Sequence, residues 1–308
     1  MTFPSARDTT RPPGGWPRIS IVTPNYNYAQ TLETTIQSVV GQGYPQLEYI
    51  VIDDGSTDSS IDILSRHANH LAHWETQQNA GQYPALNKGF GLGSGDIVGW
   101  LNSDDILFPW SLQAVGEIFA TFPEVQWISA RPTRITNGIP REVMPTRLYP
   151  QRMLQLGLFD GHPFGWVQQE STFWRRSLMQ TAGLLDTSLR YAADFEWWSR
   201  FARHAELYSV DFPIGGFWDH GSNRSIANIT RYQAEVEQVQ QAMGTDAGNE
   251  RRRIEAAWNR FSAVKQFTGL RGLARRLGGL DTLTSHVIGW DNNSRTYTTH
   301  TRSLADSF

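Results

Sequence analysis

The chain of 308 residues contains no cysteine. Disulfides, zinc–thiolate centres and cysteine nucleophiles are excluded together, and the composition fits a reducing compartment. Charge of one sign is not in excess either. The formal net charge is −3, so there is no global basic field to attract a nucleic acid. Long apolar runs are missing, and no stretch approaches the roughly 20 residues of a membrane-spanning helix. The opening residues, MTFPSARDTTRPPGGWP, lack the apolar centre of a signal peptide. They are expected to form a disordered arm over 1–17, on a protein that is cytoplasmic or peripheral at the inner face of the cell membrane. Tryptophan, by contrast, is abundant, with 12 residues in an aromatic share of 12%. Most of these are expected in the core, not on a sugar-stacking surface.

Residues 18–130 alternate strand and helix signals. RISIVTPNYN is a short apolar run ending in polar turn residues. AQTLETTIQSVVGQG follows, with Leu32, Ile36, Val39 and Val40 on one helical face and Gly43 as a stop. LEYIVIDDGSTD is continuously apolar up to its acidic end, as a strand buried on both faces is. Further helices are expected at SSIDILSRHANHL, around Tyr83–Gly91 and at PWSLQAVGEIFATF. Further strands are expected near Leu71–Glu75, at DIVGWL and at VQWISA. This alternation predicts an α/β fold with a mainly parallel central sheet flanked by helices.

From 131 to 170 the pattern weakens into loops, with a short helix near QRMLQLGLF and a strand near STFW; ADFEWWSRFARHA is a clear helix. A helical extension is expected over 231–290 and a polar, mobile tail over 291–308. Within the extension, Ala263–Leu280 gathers Val264, Phe267, Leu270, Leu273 and Leu277 near one face, with Lys265, Arg271, Arg275 and Arg276 elsewhere. It reads equally as a helix lying on an anionic membrane and as one packed on the domain.

Three expected strand ends carry polar clusters: Thr23–Asn27, Asp53–Asp58 and Asn102–Asp105. One such cluster reads first as a helix cap or a turn. Three in register, at the end of a sheet where α/β proteins bind ligands, read as a site. Adjacent Asp104 and Asp105 raise each other's pKa unless a positive group lies near. A divalent metal, Mn or Mg, with a nucleotide diphosphate would supply that charge. GFGLGSGD resembles a phosphate loop but precedes a strand instead of following one, so a helix end turning into that strand is the better reading.

The segments ISIVTPNYN, YIVIDDGSTD, NAGQYPALNKGFGLGSGD, GWLNSDD and ADFEWWSRF occur in this order and resemble the family 2 glycosyltransferases, which have the GT-A fold. The resemblance covers about residues 18–225 and is greatest to bacterial members that build O-antigen and other surface polysaccharides. It implies a catalytic domain over 18–230, with a nucleotide-sugar half to about 130 and an acceptor half beyond. It also implies inverting transfer from a nucleotide-sugar, expected to be a UDP-sugar, to a saccharide or lipid-linked saccharide acceptor. By position, Pro24, Tyr26 and Asp54 would line the base and ribose pocket, with Asp53, Asn79, Gly81, Asn87, Lys88, Ser103 and Asp104 completing the nucleotide-binding set. Asn102 stands where many relatives have Asp. The metal set would be Asp105, Asp104 and His220, with Asp105 preferred as ligand and Asp104 facing the ribose or metal-bound water; the loop of His220, with Arg224 nearby, would close over the diphosphate.

Asp194 matches the general base, with Ala193 where an acid often precedes it. Glu196 competes, but positions two apart on a helix face different ways. Asp194 in a first helical turn should be favoured in its charged form by the helix dipole. VQQESTFWRR would form the acceptor-side wall, with Trp174, Trp197 and Trp198 in the core. Two other classes compete. A sugar-nucleotide nucleotidyltransferase would carry a Gly-rich, Arg-containing loop after the first strand, and VTPNYNYAQ has neither residue. A non-catalytic sugar-binding module would not need acids at every strand end.

Overall fold

The computed structural model describes residues 15–78, 80–136, 138–161, 163–221, 223, 228–264 and 279–306. The apolar run at the start becomes β1 (Ile19–Asn25), in which every residue is buried. It lies between β2 (Leu47–Asp53) and β4 (Ile97–Trp100) and is parallel to both, and β3 (His73–Thr76) continues the parallel set. The connections are α1 (Ala29–Val40), α2 (Ser60–His67) and α3 (Gln82–Leu92). α1 buries Leu32, Ile36 and Val39, the face that the periodicity indicates. α3 approaches the sheet through Gly89, where a Cβ would lie 2.4 Å from Cγ1 of Val22. Gly89 thus serves helix–sheet packing.

Beyond β4 the sheet reverses. β11 (Thr172–Arg175) runs antiparallel between β4 and β6 (Trp127–Ala130). β12 (Leu207–Val210) and β14 (Thr284–Asp291) then resume the parallel direction, and β15 (Thr296–Ser303) closes the edge antiparallel. The order is β15-β14-β12-β6-β11-β4-β1-β2-β3. A second sheet, β5-β13-β7-β8, combines β5 (Ile106–Leu107), β7 (Thr133–Thr136), β8 (Ile139–Val143) and β13 (Gly215–Trp218). β9 (Asp160–Gly161) and β10 (Gly165–Trp166) pair separately. The region 131–170 therefore carries four short strands among its loops, beyond the short helix expected from sequence.

Two apolar layers sandwich the main sheet. One sets Ile21, Leu32, Ile36 and Val51 with Leu112 and Val115 of α4 (Ser111–Thr121). The other holds a cluster of tryptophans. Trp174 of β11 meets Trp197 of α7 (Ala193–His204) at 5.2 Å between ring centroids, Trp127 stacks on Trp198 at 5.8 Å, and Phe201 meets Trp197 at 4.7 Å. The core reading of Trp174, Trp197 and Trp198 holds, and the cluster fixes α7 on the sheet. α5 (Gln151–Gln155) and α6 (Arg176–Ala182) pack against α7, and α8 (Ile229–Ala242) and α9 (Thr245–Val264) follow.

Three boundaries need correction. The polar tail over 291–308 is instead β15 and a final turn, and the helical extension ends before β14. Val287 and Ile288 are fully buried, while Tyr297 packs against Trp290 at 5.1 Å and stacks on Phe212. At the other end, Trp16 lies edge-on to Tyr44, whose hydroxyl donates to the carbonyl of Pro17 at 2.7 Å, so the domain starts before residue 18. The membrane-helix reading of Ala263–Leu280 falls mainly on residues outside those described. Among the described residues no helix is long and apolar enough to cross a membrane. If β14 is core, Ile288→Ala should lower stability by about 2–5 kcal/mol in urea unfolding; a mobile C-terminal tail predicts no change.

Candidate functional site

The three polar clusters meet at the C-terminal ends of β1, β2 and β4. Asp53 is fully buried, and its carboxylate accepts from Asn25 Nδ2 (2.7 Å), Ser56 N (2.8 Å), Gly55 N (3.1 Å), the Ser56 hydroxyl (2.5 Å) and the Thr76 hydroxyl (2.7 Å). Asp53, expected in the nucleotide-binding set, has its carboxylate engaged in building the turn. Asn27, in the left-handed region at φ 58°, accepts from Thr57 N at 2.8 Å and stitches the β1 loop to the β2 loop. Between them Tyr26 is 54% exposed, and Asp54, half-buried, donates its N–H to the Asn25 carbonyl at 2.8 Å.

Other expected nucleotide contacts have structural partners. Pro24 is buried within β1, and its carbonyl accepts from the buried Ser103 hydroxyl at 2.6 Å. Asn87 clamps Leu185 through two hydrogen bonds of 2.9 and 3.1 Å. Lys88 pairs with Glu75. Gly81, at φ 120°, caps α3. Asn79 and Arg224 lie outside the described residues. Of this set, Ser103, Asn87 and Lys88 each have a partner within the fold.

The acidic turn after β4 is held from several sides. The Thr35 hydroxyl of α1 reaches the carbonyls of Ser103 (2.9 Å) and Asp105 (2.8 Å). Asn102 accepts from Trp100 Nε1 and from Gln82 Nε2, each at 2.8 Å, and donates to Asp105 Oδ2 at 3.2 Å. An aspartate at 102 could not make that last donation. Asp105, at 0% exposure, also accepts from Gln169 Nε2 (2.9 Å) and from the backbone N–H of Trp218 (3.1 Å). Desolvation holds its carboxyl well above the usual range, with Asp104 and Glu170 adding like charge.

Glu170, which sequence reasoning did not single out, is 2% exposed and is pushed up to about 8, chiefly by desolvation with Asp104 adding. Asp104 faces differently. Its Oδ2 lies 3.1 Å from His220 Nε2 and 3.5 Å from Asn223 Nδ2. Burial raises its pKa, and His220 opposes that rise. The loop after β13 is shaped for this contact: Asn223, itself buried, receives the His220 N–H at 3.1 Å and donates to the Trp218 carbonyl at 2.8 Å. Tyr28 sets its ring edge-on to His220 at 6.3 Å. Asp105 is thus enclosed by donors, whereas Asp104 is the carboxylate that lies beside His220. Among the described residues no group of three or more Asp, Glu or His side chains is arranged to hold an ion. The pair's atoms do suit one: two neighbouring ligands about 2.1 Å from an octahedral ion stand about 3 Å apart.

Asp194 is separate from this network. It occupies the first turn of α7, and its Oδ1 is buried with no hydrogen-bond partner. Desolvation pushes its pKa up to about 6, and Glu235 adds to the rise. Burial thus outweighs the helix dipole, reversing the direction expected from sequence. Glu196 is bound to Arg200 at 2.7 Å, and Arg200 is in turn anchored on the carbonyls of Ala182 and Leu184. The two acids do face apart, and Glu196 is the one occupied.

Chains of similar fold include S. aureus TarS in complex with UDP-GlcNAc (TM-score 0.60, 14% identity, covering 86% of this chain and 79% of that one). Another is the mannosyltransferase PcManGT from Pyrobaculum calidifontis in complex with GDP-Man and Mn2+ (TM-score 0.52, 17% identity, 86% and 79% covered). The fold is that of the GT-A glycosyltransferases. Residues 20–176, just over half of the chain, match Glycosyl transferase family 2, and the chain belongs to that family. An uncharacterised glycosyltransferase of Rickettsia typhi is 26% identical over 62% of this chain and 61% of its own length. One from Nostoc is 38% identical over 34% of this chain and 33% of its own length. The chain thus spans between a third and three fifths of these relatives. The putative teichuronic acid biosynthesis glycosyltransferase TuaG of Bacillus subtilis is 37% identical over 29% of this chain and 36% of its own length.

The raised acid in the buried network gives a stability test. A carboxyl whose folded pKa lies above its unfolded value binds its proton more tightly in the folded state. Its protonated form is fully compatible with folding below about 4.5, and stability is lost as pH rises toward about 8. Denaturant titrations should therefore show the wild type losing more stability than Glu170→Gln between pH 5 and 8. Parallel curves would show that Glu170 is not held protonated.

Proposed function

We propose that the chain is an inverting, metal-dependent glycosyltransferase. It moves a sugar from a nucleoside diphosphate sugar, a UDP-sugar in the first instance, to a hydroxyl of a saccharide or lipid-linked saccharide acceptor in surface-polysaccharide synthesis. The observation that carries this reading is the meeting of Asp104 with His220 at the end of the parallel strands. Asp104 and His220 would hold a divalent cation, and the mixed oxygen and imidazole donors suit Mn2+ at least as well as Mg2+. Bound there, the ion would supply positive charge against the departing diphosphate. Support for a nucleotide-sugar donor comes from the UDP-GlcNAc and GDP-Man named with solved chains of the same fold, for the metal from the Mn2+ named with one of them, and for polysaccharide synthesis from the teichuronic acid assignment of TuaG.

The protein's own groups have separable roles. Tyr26 and Asp54 face the base and ribose, the latter accepting a ring N–H. Asp105 orients the 218–223 loop by accepting the Trp218 N–H. Asp194 takes the proton of the acceptor hydroxyl as the hydroxyl oxygen bonds to the anomeric carbon and the carbon–oxygen bond to the diphosphate breaks. Attack opposite the leaving group inverts the centre. An unpartnered buried Oδ1 has its lone pairs available for that proton, and a pKa near 6 makes it a stronger base than a solvated aspartate while leaving it ionised at neutral pH. Peripheral attachment to the inner membrane face remains part of the proposal, through residues 263–280.

Release of UDP from a panel of UDP-sugars with Mn2+ tests the reaction. Asp104→Ala should abolish it, and Asp105→Asn should lower it less. Full activity of the wild type in excess chelator would end the metal assignment. Asp194→Asn should keep UDP affinity and lower turnover by roughly 10²–10⁴-fold. A mere helix-start role predicts a cost of about 1 kcal/mol or less and normal turnover. The wild-type rate should fall as pH drops through about 6, as Asp194 takes up a proton.

A further inference from the structure

We infer that Glu235 of α8 is a positioning residue for Asp194, an inference that rests on the reading of Asp194 as the base. The Glu235 carboxylate gathers three successive backbone N–H groups just ahead of α7. Arg190 N lies 2.9 Å from Oε1 and 3.1 Å from Oε2, and Tyr191 N and Ala192 N lie 2.8 and 2.9 Å from Oε2. Consecutive N–H groups aimed at one anion form a strong, directional cradle. The start of α7 has no cap of its own, because Ala192 occupies the capping position and has no side chain to accept with. Glu235, 43 residues along the chain, instead holds the backbone that leads into the helix.

The rest of α8 supports the same contact. Arg231 donates to the Tyr191 hydroxyl at 3.1 Å, and Tyr232 and Val236 pack with Ala192 and Phe195. Asp194 is two residues beyond the last N–H that Glu235 binds, so the point at which the helix starts sets where its carboxylate lies. α8 also begins six residues after Asn223, which touches Asp104. The segment that closes on the acidic turn therefore continues into the helix that holds the base.

The charged and titratable groups that face Asp194 from α8 are Glu235 and the phenol of Tyr232. Removing the charge of Glu235 while keeping an acceptor oxygen should ease ionisation of Asp194. The test measures UDP release from UDP-GlcNAc, UDP-glucose and UDP-galactose with Mn2+, as kcat and KM across pH 5–9. It uses Glu235→Ala, Glu235→Gln, Asp194→Asn and both double variants, with UDP affinity by calorimetry as the control. Glu235→Ala should lower kcat by about 10–100-fold at unchanged UDP affinity, the scale expected when a catalytic group is displaced by about an ångström. Glu235→Gln should recover most of that loss and move the acid limb to lower pH. In the Asp194→Asn background neither change should lower the rate further, because groups acting through one another are not additive.

Wild-type kcat and limb in both Glu235 variants, beside a collapsed Asp194→Asn, would overturn this inference alone. So would an equal loss in the Asp194→Asn background. Full turnover of Asp194→Asn would remove the base reading and this inference with it. If Glu235→Ala does not fold, the limb shift and non-additivity of Glu235→Gln decide the matter.

Discussion

The site depends on one constraint: Asp104, Asp105 and Glu170 are buried together at the end of the central sheet. Like charges in a low-dielectric setting cannot all ionise without compensation. Compensation is local and specific. Asp105 is enclosed by the Asn102 and Gln169 amides and the Trp218 N–H. Glu170 is driven toward its neutral form. Asp104 alone is left beside an imidazole. The network thus separates a carboxylate that builds from one that can meet a ligand, by environment and not by residue type.

This constraint ties the two sheets and the C-terminal half together. Asp105 reaches β13 through Trp218 N, and Gly215 of the same strand passes so close to Glu170 that a Cβ there would lie 2.1 Å from its carbonyl oxygen. Buried polar groups that are all satisfied rigidify a structure, whereas losing one partner leaves an exposed cost. The loop after β13 then presents His220, and the chain proceeds to α8 and the α7 start. The tryptophan layer under α7 fixes the other coordinate of Asp194, since Trp197, Trp198 and Phe201 cannot move without opening the core.

The α/β pattern was legible where each strand is buried on both faces, as in β1, β2 and β4, because continuous apolar runs bounded by polar turns have few other readings. β14 and β15 were not legible. β15 is an edge strand with Thr296, Thr298, Thr299 and Thr301 mostly toward solvent, so its composition resembles a tail, and only β-branching marks it as a strand. In the site, the three polar strand ends and the motifs resembling the family pointed to the right regions. They could not divide the acids into builders and binders. Asp53 and Asp54 are adjacent in sequence, yet the Asp53 carboxylate is fully buried among five donors and Asp54 is only half-buried. Glu170 was missed because a lone acid before a strand looks like a solvated turn, and Glu235 because a backbone clamp supplied by a distant helix leaves no local signal.

The central claim is that Asp104 and His220, not Asp105, form the cation-binding pair. Anomalous diffraction at the manganese edge from crystals grown with Mn2+ and UDP tests it most directly. The account predicts one peak bonded to a carboxylate oxygen of Asp104 and to Nε2 of His220, with Asp105 still receiving the Trp218 N–H. A peak on Asp105 or Glu170, with His220 turned away, would contradict it.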